Sequence, residues 1–305
     1  MVGVIDIGSN SIKVLVAARG ADGRVVAKKL RTIEARISAG ISADHPRLGA
    51  EGMERGVAAV TELTTDVQAF HADKIIIVAT SAVRDAENGA EFCARVKDAT
   101  HVEVRVLSGA EEADLIGRGL LCDPQLAGER DFYVFDLGGG SLECLAFRDR
   151  RVVQEDSLPL GCVRLTEKFV PDAAAPFRPE AAAAIAAHVR AIVAAANFSL
   201  AIQAVAIGTG GTLTAVRSVL AARAGQVNEQ VPPDISIRQL RDMLEQVGGL
   251  PLADRRKVPG LPPGRADVFP AALATLIAVA DLGGFEAYRH SLYNLRWGLA
   301  AEALS

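Results

Sequence analysis

Within its 305 residues the chain spells one short sentence twice, at an offset of 130: Asp6-Ile7-Gly8-Ser9-Asn10-Ser11 and Asp136-Leu137-Gly138-Gly139-Gly140-Ser141. Each copy follows an apolar run (residues 2–5 and 132–135) and leads into another (12–17 and 142–147). A carboxylate at a strand end, followed by small residues and a hydroxyl, suits a loop whose successive amides wrap an anion. Gly20–Gly23 then turns the first copy into a strand at 24–30, and a turn at Arg148–Arg151 leads the second into 152–156. A repeat of this length constrains the fold: two domains of one plan, facing each other across a phosphate-binding cleft.

Between and after the copies, helix and strand alternate. Helical spacing predicts helices at 52–72, 90–100, 111–121, 180–197, 213–222, 236–247, 268–282 and 291–304. Strands are expected at 74–79, 102–107 and 200–207, and the Pro-, Gly- and Arg-rich stretch 250–265 reads as a loop. The fold class is therefore α/β, with two domains built on mixed sheets. Asp123-Pro124 is the expected hinge, dividing 1–123 from 124–305, with a closing helix at about 290–305 returning to the first domain.

Half of the residues are apolar, enough for a core in each domain, and the net charge of −4 does not suit a protein that grips a nucleic-acid polymer. An anionic substrate must be met by local groups instead. Cys93, Cys122, Cys144 and Cys162 are far apart and read as small buried thiols, and the five histidines form no zinc pattern. No uninterrupted apolar stretch reaches membrane-spanning length and no basic, apolar leader precedes the first strand, so the expectation is a cytoplasmic protein without membrane contact.

Several segments can do chemistry. The Gly8–Ser11 and Gly138–Ser141 loops offer amides and hydroxyls to phosphate, and Gly208-Thr209-Gly210-Gly211, between a strand and a helix, offers a third contact or merely a tight turn. Asp6 and Asp136 would repel phosphate, so their natural task is to hold Mg²⁺ or another divalent cation, with Glu143 as a third candidate. Arg84 follows the strand at 74–79 and either pins a phosphate or simply begins a helix. Glu111 and Glu112 open the helix after Ser108-Gly109; one could activate water, and adjacent helical residues point about 100° apart, so only one can face the cleft. Arg255, Arg256, Lys257 and Arg265 could extend an anion path, and a solvated loop explains the first three about as well.

Taken in order, these segments, with Leu158–Arg164 and Arg265-Ala266-Asp267, resemble the exopolyphosphatase / guanosine-pentaphosphate phosphohydrolase (Ppx/GppA) family, within the actin–sugar kinase–Hsp70 superfamily. The resemblance implies two actin-like, ribonuclease H-like domains flanking a central cleft. It makes Glu112 the catalytic base, puts Arg84 on the reacting phosphate, and places Asp136, Gly138 and Glu143 at the phosphate and metal site. The activity it implies is exopolyphosphatase, with guanosine pentaphosphate (pppGpp) hydrolysis as the alternative. A kinase or ATPase of the same fold and a non-enzymatic polyphosphate or alarmone sensor rank lower. A homodimer is the family-based expectation for assembly. Two departures stand out: the chain looks like a short form without the HD-type C-terminal domain, and Asn294-Leu295-Arg296-Trp297-Gly298 replaces a Gly-aliphatic-Arg-acidic-Gly segment.

Overall fold

A computed structural model describes residues 1–38, 45–200 and 204–305, the side chain of Glu229 excepted. The chain divides into two compact units, Met1–Gly128 with Tyr293–Ser305, and Glu129–Leu292. The expected boundary was at 123/124; Asp123 instead caps a short 3₁₀ turn at Pro124–Leu126 by accepting from the Gln125 amide.

The first unit begins with the meander β1 (Val2–Ile7), β2 (Ile12–Arg19) and β3 (Val25–Ile33), followed by helix α1 (Ala50–Ala69) and strand β4 (Lys74–Ala79). Next come α2 (Ser81–Asp85), α3 (Gly89–Thr100), β5 (Val104–Val106) and α4 (Gly109–Leu121). The sheet order is β3-β2-β1-β4-β5, with β1, β4 and β5 parallel and the meander antiparallel. All six residues of β1 are buried, as a central strand covered on both faces requires. Ser108 and Glu111 form a reciprocal capping box that starts α4.

The second unit repeats the plan with β6 (Phe132–Leu137), β7 (Leu142–Arg148) and β8 (Arg151–Leu158), then α5 (Cys162–Phe169), α6 (Pro179–Ala195), β9 (Val205–Thr209) and α7 (Gly211–Ala224). It continues through β10 (Asp234–Ser236), α8 (Ile237–Gly248), α9 (Leu252–Arg255), α10 (Phe269–Gly283) and β11 (Ala287–His290). Its sheet runs β10-β11-β9-β6-β7-β8, with β11, β9 and β6 parallel. The repeat extends to backbone detail: the register slips between Val16 and Ala17 in one meander and between Ala146 and Phe147 in the other, the same offset of 130. The β7–β8 turn is made by Asp149 and Arg150, both left-handed (φ 50° and 61°), and the Arg130–Asp149 ion pair sits beside it.

Helix α11 (Leu295–Leu304) returns to the first unit and packs on α4, β1 and β2. At the crossing, Gly119 of α4 faces the Asn294 carbonyl and Gly298 of α11 faces the Leu115 carbonyl, with no room for a Cβ at either glycine. The structure corrects the expected helix at 291–304. It starts at Leu295, because the Ser291 amide still pairs with the Gly208 carbonyl beyond the end of β11 and Asn294, the N-cap, is extended. Helix α5 and strand β10 were not foreseen, and part of the strand expected at 200–207 lies outside the described residues. Cys144 and Cys162 are buried as expected, whereas Cys93 and Cys122 are only partly covered.

Candidate functional site

In the first unit, the turn after β1 closes with the Gly8 amide donating to the Ser11 carbonyl at 3.2 Å. The carbonyls of Ser9 and Asn10 accept from the amides of Ser38 and Arg36. In a trans peptide the N–H lies opposite the C=O, so the amides of Asn10 and Ser11 are turned away from that segment. The Ser9 hydroxyl lies 3.3 Å from that of Ser81, which begins α2 at the end of β4.

Arg84 on α2 and Glu112 on α4 meet in the same unit. Arg84 Nη1 donates to Glu112 Oε2 at 3.0 Å and to the Leu107 carbonyl at 3.0 Å. Glu112 is 6 % exposed. Its neighbour Glu111 is outward-facing: it accepts from the Ser108 amide and hydroxyl and pairs with Arg105 at 2.8 Å. Those bonds, Arg105 foremost, hold the Glu111 carboxyl down to about 2. Glu111 is thus consumed by starting the helix, and Glu112 is the carboxylate turned inward toward Arg84.

The second unit's loop has the same Gly138 N–H to Ser141 O=C closure, at 3.0 Å. The first turn of α5 supplies donors to the loop: Cys162 to the Gly138 carbonyl and Val163 to the Gly139 carbonyl, while Arg164 Nε reaches the Gly140 carbonyl at 2.9 Å. Three successive carbonyls are therefore aimed at α5 and its arginine, and the amides of Gly139, Gly140 and Ser141 are presented on the other side. Gly161 has no space for a side chain against Gly139 and Gly140, which lets α5 approach. The 158–164 motif thus acts by shaping this loop.

The register of each sheet fixes the neighbour of each aspartate. Asp136 faces Glu143 across β6–β7, Glu143 faces Ser157, and Asp136 also faces Thr209 on β9. Glu143 is 2 % exposed and accepts from the Ser157 hydroxyl at 3.0 Å. At the matching place in the first unit, Asp6 faces Lys13. Burial pushes the Asp6 carboxyl up from its ordinary value, and Lys13 and Arg296 of α11 pull it back. Lys13 and Arg296 are the residues that the sequence reading missed here, although Lys13 is the counterpart of Glu143 at the 130-residue offset. The cross-strand partner therefore differs in charge between the repeats: a glutamate in the second and a lysine in the first. Two carboxylates suit Mg²⁺, which keeps several waters and takes few protein ligands; Asp6 is a carboxylate in a different setting, with Lys13 and Arg296 near it. Among the described residues no group of three or more His, Cys, Asp or Glu side chains could hold a metal ion by itself.

The third loop lies beside Asp136 in the same unit. Gly210 has φ 94°, and a Cβ there would come within 2.5 Å of Asp136 Oδ1. On its other side Gly211 abuts the guanidinium of buried Arg265. The hydroxyls of Thr209 and Thr212 are buried without a protein partner. Arg255 is corrected from the expected anion path. It is buried, and its guanidinium donates to the carbonyls of Ala175, Val247, Gly248, Leu250 and Ala266. Lys257 pairs with Asp254 at 2.8 Å.

Among the described residues no helix is long and apolar enough to cross a membrane. The model of the Ppx/GppA phosphatase family matches residues 16–305. A solved exopolyphosphatase-like protein is 25 % identical with a TM-score of 0.87, over 99 % of this chain and 97 % of the other. An exopolyphosphatase from Cytophaga hutchinsonii is 22 % identical with a TM-score of 0.88, over 99 % and 97 %. The PPX-GPPA enzyme of Aquifex aeolicus is 23 % identical with a TM-score of 0.77, over 99 % and 98 %. With the family match spanning nearly its whole length, and both mixed sheets on the plan its repeat dictates, the chain belongs to the Ppx/GppA phosphatase family.

Proposed function

We propose that the chain removes the terminal phosphate of inorganic polyphosphate, with Glu112 as general base. The observation that carries this reading is the Arg84–Glu112 pair at 3.0 Å, beside a neighbour, Glu111, whose bonds commit it to the helix cap. A base must be ionised before it can take a proton, and the guanidinium next to it favours that state. Water would attack the terminal phosphorus while its proton passes to Glu112; the bridging P–O bond breaks and the shortened chain leaves as the anion. Arg84 would offset the charge gathering on the transferred group.

The amides of Asn10 and Ser11, with the Ser9 and Ser11 hydroxyls, are the phosphate donors proposed in the first unit, and those of Gly8 and Gly138 close the turns that aim them. In the second, Gly139, Gly140, Ser141 and the Gly208–Gly211 loop take that role. Asp136 and Glu143 are the residues that would hold Mg²⁺, which supplies charge neutralisation at phosphoryl oxygens when bound. Asp6 is assigned to the charge balance of Lys13 and Arg296 instead.

The test is release of inorganic phosphate from tripolyphosphate, long polyphosphate and guanosine pentaphosphate, with and without Mg²⁺. Polyphosphate should be preferred, and Glu112→Gln should lower turnover by about 10²–10⁴. A near-wild-type rate in that variant rejects the base, and a preference for guanosine pentaphosphate replaces the substrate by that nucleotide.

A further inference from the structure

Strand β11 ends in His290, a residue outside every segment that the family resemblance uses. It is 4 % exposed and lies in register with Gly208. Its Nε2 is 3.3 Å from the Thr214 hydroxyl and its Nδ1 is 3.4 Å from Arg217 Nη1, both on α7. Thr214 Oγ1 in turn donates to the Gly210 carbonyl at 3.0 Å. Arg217 has only donors, so Nδ1 must accept and Nε2 must carry the proton. Thr214 has given its own proton to Gly210, so its oxygen is the acceptor for that Nε2–H. One tautomer satisfies every bond, and the direction of the relay is fixed: Arg217 to His290, His290 to Thr214, Thr214 to Gly210.

The end of this relay is a peptide plane. The Gly210 carbonyl and the Gly211 amide belong to one planar unit and point opposite ways. Holding the carbonyl toward Thr214 therefore aims the Gly211 N–H outward from the start of α7, where helix amides meet anions. The Thr214 amide already donates to this carbonyl at 3.3 Å, and the Thr214 hydroxyl adds a second, shorter bond that narrows the plane's freedom at a glycine whose φ is 94°. At the other end, Arg217 Nη2 donates at 2.7 Å to the carbonyls of Asn228 and Val231, which anchors the guanidinium that orients the imidazole.

We propose that His290 is a positioning residue for the third glycine loop, setting the direction of the Gly211 amide through Thr214 and so the affinity for a substrate phosphate. The inference rests on the phosphate-binding role proposed above for Gly208–Gly211. His290 touches no reacting atom, so its loss should weaken binding while sparing the chemical step.

Side-chain geometry supplies the test. Glutamine places an amide donor near Nε2 and can keep the bond to Thr214, whereas asparagine places an acceptor near Nδ1 and cannot. His290→Asn and Thr214→Val should each raise KM for tripolyphosphate about tenfold with kcat within twofold of wild type. His290→Gln should restore KM to within twofold, and the double variant His290→Asn/Thr214→Val should be no worse than either single one. Equal impairment of the Gln and Asn variants, additive losses in the double variant, or an unchanged KM in His290→Asn would each overturn the relay. Hydrogen exchange of the Gly211–Thr214 amides separates this from the functional reading. Faster exchange in His290→Asn, reversed in His290→Gln, upholds the relay even if wild-type protein releases no phosphate; unchanged exchange in both rejects it.

Discussion

Replacing Gly298 by alanine sets two physical expectations against each other. In a helix interior, alanine is better than glycine by about 1 kcal/mol, so propensity alone predicts a more stable protein. At the α4–α11 crossing, however, the new methyl would lie 2.9 Å from the Leu115 carbonyl carbon and 3.2 Å from the Gly119 nitrogen, and nearer still to the Leu115 oxygen. These neighbours are backbone atoms of a packed helix and have no rotamer to change, so the helices must part by about 1 Å. Overpacking of that kind costs typically about 1–3 kcal/mol, and backbone against backbone belongs at the upper end. Net destabilisation of about 2 kcal/mol follows, read as a lower urea midpoint at constant slope for the first unit's transition. Gly248→Ala, whose nearest neighbour is a flexible Leu244 methyl at 3.3 Å, is the control: at the end of its helix, and read in the second unit's transition, it should keep part of the propensity gain, up to about 1 kcal/mol. Turnover should also fall in Gly298→Ala, because α11 brings Arg296 toward Asp6 and α4 carries Glu112. A Gly298→Ala protein as stable as wild type, or more so, would show that propensity outweighs the crossing and refute the packing argument.

Two further outcomes can be measured on stability. Arg255→Lys replaces five guanidinium donors by three; of the five carbonyls they meet, those of Val247 and Gly248 also accept from the Leu250 and Phe177 amides, so the loss is of two charged hydrogen bonds rather than of orphaned carbonyls, at a cost of about 1–3 kcal/mol; a shift below about 0.5 kcal/mol in the second unit's urea transition would count against that role. His290 is held down to about 3, chiefly by burial and then by Arg217. The unfolded chain takes up this proton near pH 6.5 and the folded chain only near 3, so stability is lost as pH drops through that window, by up to about 1.4 kcal/mol per unit. The stability difference between wild type and His290→Gln should vary with pH at that slope between about 3 and 6.5 and be flat above; a parallel pair of curves throughout would reject it.

The doubled sentence, the alternation of strand and helix and the glycine loops were legible because each rests on local chemistry: turn residues, apolar periodicity and small side chains before hydroxyls. Glu112 needed the resemblance, since adjacent glutamates at a helix start are equivalent until one is seen in the capping box with Ser108 and Arg105. Helix α5 and the short strand β11 were missed because neither has a distinctive pattern of its own. The donors of α5 answer carbonyls of the Gly138–Gly140 loop, and β11 is a strand only by virtue of β9 and β10 beside it.

The sequence by itself determined the two-unit plan, the central strands and the two loops at their ends. Tertiary structure alone decided the company each aspartate keeps. Residues 6 and 13, or 136 and 143, become neighbours when the hairpin register is set, but Arg296 reaches Asp6 only because α11 returns over two hundred residues later to a crossing lined with glycine. Local rules act over a turn or a strand pair. Charge balance in a buried site depends on whatever the packed chain brings within a few ångströms, and that separation in space is unrelated to separation in sequence.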